Sequence, residues 1–340
     1  MNNKAYVRII AEIGVNHNGK YTNAIKLIEE AKDSGADAVK FQTYKTERLA
    51  SARTPKVAYQ LRDTQNTHFD MLKQLELTEK DHYKLKRRCD DLELEFISTP
   101  YDAESARFLI TELEIKTIKT ASANLDDVFL HEYLSEVRNL DLLIATGMSS
   151  IEDVEATLKY YEEDGVGTDI TLLHCVSAYP CSFESINLSA MIQMRNAFAR
   201  KVGYSDHSMD SAAAMLSVAL GATTIERHFT LDKGAPGPDH FASSEPAEFK
   251  KYVDDIRKCS IILGGGVKEM MPEEIEMHSI SKKSVAVSRD KIAGSTIEAS
   301  DLILLRPNIG ISARDVHSIV GRKVKQNISR YNHITYEDLE

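Results

Sequence analysis

The chain has 340 residues, of which 42% are hydrophobic and 28% charged, and its formal net charge is −10. This composition is that of a globular protein, and the acidic balance argues against a nucleic-acid-binding protein, because such proteins carry a basic excess. No segment approaches the ~18 consecutive apolar residues of a membrane span, and the first residues show no secretory signal. The four cysteines form no CxxC pair, so we expect reduced thiols and a cytoplasmic protein without a membrane or nucleic-acid partner.

Short apolar runs alternate with amphipathic segments along most of the chain, and runs of this kind predict strands buried on both faces. The predicted strands are 6–13, 37–42, 94–98, 115–119, 141–146, 169–174, 201–205 and 223–227. The predicted helices are 21–34, 79–92, 103–112, 127–136, 151–163, 188–198, 210–220 and 246–263. Strand–helix units repeated in this number predict an α/β fold, the closed (βα)₈ barrel. The absence of a GxGxxG turn counts against an open dinucleotide-binding sheet.

The connection after the second predicted strand, residues 43–78, is unusually long, and connections of that length are typically functional. On a barrel it would lie over the carboxyl ends of the strands, where active sites form. After residue 265 the pattern changes to short apolar runs and turns without a long helix. We therefore predict a barrel domain over 1–265, a linker over 266–280 and a small β-rich domain over 281–340.

Polar and ionisable side chains collect at the ends of the predicted strands. Ionisable groups are costly to bury inside a strand unless they are paired, and a barrel places its chemistry at the carboxyl ends of its strands. The residues concerned are Glu12, Lys40, Gln42, Ser98, Thr99, Lys119, Ser122, Thr146, His174, Ser205, Asp206, His207, Glu226 and His228. One such residue would usually be structural, but a whole set on one rim predicts an active site.

Two lysines in this set suit an anionic ligand. Lys40 and Lys119, together with neighbouring serine hydroxyls, could bind a phosphate or a carboxylate. The alternative is that one of these lysines only pairs with Glu12 or Glu226. The sequence favours the anion site over simple pairing.

Two histidines suit a metal ion. His207 and His228 come from neighbouring strands whose axes lie ~4.8 Å apart, so their imidazoles could share one ion with Glu12 nearby. Two histidines with oxygen ligands and open positions suit Mn²⁺, Mg²⁺, Fe²⁺ or Co²⁺ better than structural zinc. The alternative is two independent histidines bonded to the backbone. The turn-rich segment GAPGPDH (234–240) would hold Asp239 over the barrel mouth, where this carboxylate could serve the site or only the turn.

Segments spread in order along the chain resemble the sialic acid synthase family. They are AEIGVNHNG (11–19), VKFQ (39–42), STP (98–100), ATGM (145–148), LLHC (172–175), YP (179–180), VGYSDHS (202–208), GATTIERHFTLD (221–232) and GPDH (237–240). The segment AYQLRDTQ…FDMLKQLEL (58–77) does so too, and it favours the neuraminic and legionaminic types over the pseudaminic type. Residues 283–311 resemble the antifreeze-like domain of this family. The resemblance implies a barrel fused to that domain in a domain-swapped homodimer.

The resemblance also implies the chemistry, a condensation of phosphoenolpyruvate with an open-chain amino sugar of the N-acetylmannosamine type. C3 of phosphoenolpyruvate would attack the aldehyde, water would add at C2, and phosphate would leave by C–O cleavage. A divalent metal, Mn²⁺ first and Mg²⁺ or Co²⁺ as options, would polarise the aldehyde oxygen and position the water. A legionaminic-type diamino sugar is the alternative acceptor. A metal-dependent pyruvate aldolase and a sugar- or ice-binding scaffold without activity are the alternatives from other classes.

The same resemblance assigns roles to individual residues. The metal ligands would be His207 and His228. The catalytic groups would be Glu12, Lys40, Lys119 and Glu226. The contacts to phosphoenolpyruvate would be Lys40, Thr99, Lys119, Ser122, Ser177 and Ser205. The contacts to the sugar would be Gln42, Tyr179, Asp239 and Arg306, the last reaching in from the partner subunit.

Three positions depart from the family pattern. Ala145 stands where a serine is usual, Asn124 where a glutamate is common, and Ser177 where an asparagine is common. Ala145 removes a hydroxyl donor, and Asn124 replaces a carboxylate with an amide that both donates and accepts. We interpret these departures as bearing on which sugar is used and not on the class of reaction.

Overall fold

The computed structural model describes residues 6–51, 53–56, 67–162 and 167–340. The segment AYQLRDTQ (58–65) and the end of the predicted helix 151–163 lie outside the described residues. Within the described ranges, no helix is both long enough and apolar enough to pass through a bilayer.

Eight parallel strands close into a barrel in chain order, with β8 pairing back onto β1. The strands are Arg8–Gly14 (β1), Ala38–Thr43 (β2), Glu95–Pro100 (β3), Thr117–Thr120 (β4), Asp141–Ala145 (β5), Asp169–His174 (β6), Lys201–Asp206 (β7) and Thr224–His228 (β8). The (βα)₈ prediction is confirmed.

Helices cover the outside of the barrel. They are Tyr21–Asp33 (α1), Thr46–Leu49 (α2), His68–Leu75 (α3), Glu79–Asp91 (α4), Ala103–Arg107 (α5), Val128–Ser135 (α6), Ile151–Leu158 (α7), Phe183–Ile186 (α8), Ser189–Phe198 (α9), Ala212–Ala219 (α10) and Pro246–Leu263 (α11). The segment predicted as one helix over 103–112 is α5 continued by a π-helical turn, Phe108–Glu112. Helices α2 and α3 lie in the long connection that the sequence indicated only as a loop.

Several helices begin at residues that cap them. The side chains of Thr78, Asp102, Asp127 and Ser150 each accept a hydrogen bond from a backbone N–H in the first turn of the helix that follows. Each such bond satisfies one of the N–H groups that a helix start leaves without a partner. These caps fix where the strand-to-helix connections end.

Alternate residues of the strands point into the barrel and stack in layers. The packed central layer consists of Ile10, Ala38, Ile97, Leu143 and Leu173, which form a buried cluster separate from the core between strands and helices. At the amino-terminal end of the strands, Arg8 closes the interior with two ion pairs. Its Nη1 atom lies 2.7 Å from Oδ2 of Asp141 and 3.5 Å from Oε1 of Glu95. The barrel is therefore filled below its carboxyl-terminal mouth.

The chain divides after Gly265 into two compact units, of which the second is Gly266–Glu340. Within the second unit, the strands Ser284–Val287 (β9) and Leu302–Leu305 (β10) form an antiparallel pair over a small hydrophobic core. The segment 266–280, predicted as a linker, carries most of a further helix, Ile275–Ser281 (α12), and belongs to this second unit.

Candidate active site

The carboxyl ends of the barrel strands surround a cavity of about 420 Å³. Because inward positions recur at every second residue of a strand, β1 turns Ile10 into the packed layer and Glu12 into the cavity. The sequence-predicted site residues that line this cavity are Glu12, Lys40, Gln42, Thr99, Lys119, Ser122, Ser177, Tyr179, Ser205, His207, Glu226, His228 and Asp239. The remaining one, Arg306, is exposed in the second unit, directly after β10.

Four buried charged groups lie together on the floor of the cavity. The Nζ atom of Lys40 lies 2.6 Å from Oε2 of Glu12 and 3.8 Å from Oε2 of Glu226. Lys119 donates a hydrogen bond to Oε1 of Glu226 at 2.8 Å. Both lysines are thus paired with carboxylates, in agreement with the alternative interpretation, and both also face the same cavity.

The two carboxylates of this cluster differ in how readily they take up a proton. Burial raises the pKa of Glu12, and the neighbouring Lys40 offsets only part of the increase. Burial acts in the same direction on Glu226, but Lys119 and Lys40 hold the pKa of that carboxyl well below its usual range. Glu226 is therefore the lasting anion, and Glu12 is the carboxyl that gains a proton first. With Glu12 protonated, the two lysines outweigh the one remaining carboxylate.

Hydroxyl groups hold these charges in place. Lys40 donates a hydrogen bond to Oγ1 of Thr99 at 3.0 Å. Ser205 donates one to Oε1 of Glu226 at 2.9 Å. Each contact satisfies part of the hydrogen-bonding capacity of a buried charge, which lowers the cost of burying it.

Gly147, which follows β5, packs against three side chains of the cavity wall. A Cβ atom at this position would lie 2.7 Å from Oγ of Ser177, 2.8 Å from Oγ of Ser122 and 3.0 Å from Sγ of Cys175. The backbone N–H of Gly147 donates to Oγ of Ser122 at 3.0 Å. Two hydroxyls and a thiol that line the cavity therefore meet at Gly147, and the hydroxyls could donate to one anionic group of a ligand.

The two predicted metal ligands face each other, with ring centroids 5.5 Å apart for His207 and His228. Nδ1 of His207 is hydrogen-bonded to the carbonyl oxygen of Val176 at 2.7 Å, and its Nε2 lies 3.5 Å from Oγ of Ser205. Nδ1 of His228 is buried and makes no hydrogen bond within the part of the chain that the structure describes. The nearest acidic group to it is Oδ2 of Asp239, at 3.7 Å.

These histidines fit a divalent metal ion. Burial lowers the pKa of His207 to about 4 and that of His228 well below its ordinary value, so both rings are neutral, as metal ligands must be. The hydrogen bond from Nδ1 of His207 to the carbonyl oxygen of Val176 fixes the tautomer of the ring and leaves the lone pair on Nε2. The described residues hold no group of three or more His, Cys, Asp or Glu side chains in metal-binding positions. A metal ion at this site would receive two nitrogen ligands from the described residues, and its other positions would be open to oxygen ligands of water or substrate.

Residues predicted to contact a sugar lie beside these histidines. The ring centroid of Tyr179 is 4.2 Å from that of His207. Gln42 donates a hydrogen bond to Oε1 of Glu12 at 3.2 Å, and burial raises the pKa of Asp239 to about 6. Amide, phenol and carboxyl groups together supply the donors and acceptors that a polyhydroxylated ligand requires.

Four strand-end residues that the sequence predicts on the rim do not line the cavity. His174 bonds a backbone carbonyl in α8 at 2.6 Å, Asp206 pairs with Arg227 at 3.0 Å, and Ser98 shares a hydrogen bond with Thr43 at 2.6 Å. A fourth predicted rim residue, Thr146, also does not line the cavity and donates to the carbonyl oxygen of Leu173 at 3.1 Å. All four occupy outward positions on or directly after their strands, so their roles are structural. The prediction that these residues belong to the active site is wrong.

Sequence reasoning missed one wall of the cavity. Helix α3 contributes four residues to it, His68, Met71, Leu72 and Leu75. Their helical spacing is visible in HFDMLKQL, but it stands in a segment that the sequence indicates as a loop. Cys175 and Tyr101 also line the cavity, although a cysteine or a tyrosine after a strand gives no signal of its own.

Residues 27–268 match the NeuB family, and residues 282–340 match the SAF domain. The chain belongs to the NeuB family. Among relatives of this NeuB-family protein, the N,N'-diacetyllegionaminic acid synthase of Legionella pneumophila is 40% identical over 98% of this chain and 94% of its own length. The N,N'-diacetyllegionaminic acid synthase of Campylobacter jejuni is 39% identical over 94% of this chain and 96% of its own length.

A solved structure agrees with the NeuB assignment. The N-acetylneuraminic acid (sialic acid) synthetase of Leptospira borgpetersenii, crystallised in complex with citrate, has a TM-score of 0.72 and 31% identity to this chain. The match covers 81% of this chain and 90% of that one. The resemblance to sialic acid synthases with an antifreeze-like domain is confirmed.

Proposed function

We propose that this protein is a synthase that joins phosphoenolpyruvate to an N-acyl amino-sugar aldehyde and releases inorganic phosphate. The observation that carries the proposal is a buried cluster of two lysines and two carboxylates beside a histidine pair, in one cavity of a NeuB-family barrel. The lysines suit an anionic substrate, and the histidines suit a metal ion.

Phosphoenolpyruvate fits the charge of the cavity floor. Its phosphate and carboxylate together carry about three negative charges near neutral pH. Lys40 and Lys119 would bind these groups, and the hydroxyls of Ser122 and Ser177 beside Gly147 would donate to one anionic end. Glu12 would take up a proton when phosphoenolpyruvate binds. With Glu12 neutral, the two lysines and one carboxylate give the cavity floor a net positive charge, which favours the anionic substrate.

A metal ion belongs to the proposal, with Mn²⁺ as the first choice and Mg²⁺ or Co²⁺ as substitutes. His207 and His228 would hold it through nitrogen atoms that burial keeps unprotonated. When bound, such an ion would polarise the aldehyde oxygen of the sugar and position a water molecule.

The chain's own groups would manage the proton transfers. As C3 of phosphoenolpyruvate bonds to the aldehyde carbon, protonated Glu12 would donate its proton to the aldehyde oxygen. The positive charge that develops at C2 would be stabilised by the Glu226 carboxylate, which stays ionised. Water would then add at C2 and lose one proton to Glu12. Phosphate would leave by cleavage of its bond to C2 and take up the remaining hydroxyl proton, which leaves a ketone at C2.

The comparisons favour a different acceptor from the one that the sequence suggested first. Two N,N'-diacetyllegionaminic acid synthases are 40% and 39% identical to this chain, whereas the sialic acid synthetase of Leptospira is 31% identical. We therefore propose an open-chain sugar with two N-acyl groups as the acceptor. N-acetylmannosamine, the first choice from sequence, is the second candidate.

The test is a panel of amino-sugar aldehydes incubated with phosphoenolpyruvate and Mn²⁺, followed by phosphate measurement and mass spectrometry of the acid formed. Phosphate release that requires both substrates is the expected result. Release from phosphoenolpyruvate alone, or turnover with pyruvate in its place, would reject the proposal, and the second outcome would favour a pyruvate aldolase.

We also propose that Arg306 contacts the sugar of the partner subunit in a homodimer. A guanidinium presents several donors in a fixed fork, which suits vicinal hydroxyls or an N-acyl oxygen. Arg306→Ala subunits would be mixed with Lys119→Ala subunits under conditions of subunit exchange. Recovery of activity in the mixture, compared with either variant alone, is expected. A monomeric enzyme at full rate, or no recovery after confirmed exchange, would count against this arrangement.

A further inference from the structure

One wall of the cavity is an apolar helix face. His68, Met71, Leu72 and Leu75 of α3 recur at the spacing of one side of a helix, and all four line the cavity. Met71 and Leu75 are buried with Val15 in a small hydrophobic cluster that is separate from the main core. Both side chains also line the cavity, so the surface that this cluster exposes there can contact a ligand.

Helix α3 is fixed in position by polar contacts on its other sides. The hydroxyl of Tyr44 donates to the carbonyl oxygen of Leu72 at 3.1 Å. Glu76, at the carboxyl end of α3, accepts hydrogen bonds from the backbone N–H of Thr46 at 3.1 Å and from Nζ of Lys45 at 3.0 Å. A wall held in this way can discriminate between substituents, because it cannot move aside at low cost.

The α3 face contrasts with the floor of the cavity. The floor carries four charged groups, whereas the α3 face consists of hydrocarbon, a thioether and one imidazole. Sugar hydroxyls would lose hydrogen bonds with water against such a surface, but a methyl group would gain by leaving water. Nδ1 of His68 is buried and makes no hydrogen bond to the residues that the structure describes. An N-acetyl group combines a methyl group with an amide donor and acceptor. The apolar side chains of the α3 face suit the methyl group, and the imidazole of His68 suits the amide.

We propose that the α3 face binds a second N-acyl group of the acceptor sugar and so selects di-N-acyl over mono-N-acyl sugars. The acyl methyl group packs against Met71 and Leu75, and the acyl amide bonds to His68. The inference rests on the proposed function and adds a substrate subsite to it. Two relatives whose products carry two acetyl groups by name are consistent with an acceptor of this kind.

The test compares two sugars, N-acetylmannosamine and a 2,4-diacetamido sugar of the same configuration, by kcat/KM from phosphate release. Met71→Gln keeps the length of the side chain but makes it polar. Its preference for the diacetamido sugar is expected to fall about tenfold from the wild-type value, the scale on which apolar pockets discriminate a methyl-sized group. Gln74→Ala, an exposed position on the same helix, is the matched control and is expected to keep the wild-type preference.

The other outcomes separate a failure of the acyl subsite from a failure of the proposed condensation. Equal losses on both sugars in folded Met71→Gln, or a wild-type enzyme without preference for the diacetamido sugar, would overturn the acyl subsite and leave the condensation standing. Absence of phosphate release with every sugar would reject the proposed function itself. If Met71→Gln does not fold, as judged by circular dichroism, Leu72→Ala replaces it, because Leu72 lies on the same face and is only partly buried. A preference unchanged in that variant would also overturn the subsite.

Discussion

The ammonium group of Lys40 lies 2.6 Å from a carboxylate oxygen of Glu12, and both side chains are almost fully buried. The two residues are register partners on the adjacent strands β1 and β2. A buried ion pair recovers its desolvation cost only while both members are present. Because this pair faces a cavity and not the packed core, an anionic ligand could replace the carboxylate as the partner of the lysine.

Lys40→Met is expected to abolish phosphate release and to lower the free energy of unfolding by about 3 kcal/mol, because it leaves two buried carboxylates, Glu12 and Glu226, with Lys119 as their remaining lysine partner. The double variant Lys40→Met with Glu12→Gln should recover most of that stability and none of the activity. Urea denaturation and the phosphate assay measure the two effects separately. Lys251→Met removes an exposed pair with Asp255 and serves as the control, with an expected change below about 1 kcal/mol. Equal losses of stability in the single and double variants would contradict the buried-pair argument.

The histidine pair predicts a metal dependence. His207→Ala and His228→Ala should each lose most bound Mn²⁺ and most activity, because one remaining imidazole among oxygen ligands binds weakly. Metal content after dialysis is the measurement, and it does not depend on turnover. His317→Ala, an exposed histidine of the second unit, is the control and should bind metal as the wild type does. Full metal content in either cavity variant would remove the metal assignment.

The barrel could be predicted from the sequence because its signals are local. Strands buried on both faces are short continuous apolar runs, and the helices between them carry one apolar face. The position of Glu12, two residues beyond Ile10 on the same strand, follows from the same alternation. Site residues that come from strands were therefore within reach of sequence reasoning.

Other features depend on contacts between segments that are distant in the chain. The inward or outward direction of a strand-end residue changes with a shift of one position, which is why the sequence predicts His174 on the rim although it bonds a helix carbonyl instead. Helix α3 is short and is held by Tyr44 and by the α2 segment, and neither contact leaves a local pattern. The side chains of Ser122, Cys175 and Ser177 converge at Gly147 only because three loops meet there.

Gly147→Ala tests the hydroxyl contacts at Gly147. The added methyl group would collide with the hydroxyls of Ser122 and Ser177, whose oxygen atoms lie within 2.8 Å of the position that it would occupy. We expect the KM for phosphoenolpyruvate to rise about tenfold or more, since a displacement of ~1 Å in a positioned group costs heavily in rate. Gly234→Ala, in the loop after β8, is the control, because its added methyl group meets only a flexible carboxylate at 3.2 Å. An unchanged KM in Gly147→Ala would show that the hydroxyls of Ser122 and Ser177 do not contact phosphoenolpyruvate.

The last prediction concerns Glu76, which anchors helix α3. Partial burial alone would raise the pKa of this carboxyl, but hydrogen bonds from Thr46, Lys45 and Lys73 lower it to about 2. A carboxyl whose folded pKa lies below its unfolded value of ~4.3 stabilises the protein fully above that value, and the contribution is lost as the pH falls through the folded pKa. We expect Glu76→Gln to lower the free energy of unfolding by about 1–2 kcal/mol at pH 7, a modest value because solvent screens part of these interactions. The loss should be about half as large at pH 3 and should vanish below about pH 2. Urea denaturation across this range measures the difference, and Glu47→Gln, an exposed partner of Lys73, should show a much smaller one. A difference that stays constant with pH would mean that Glu76 holds α3 by shape and not by charge.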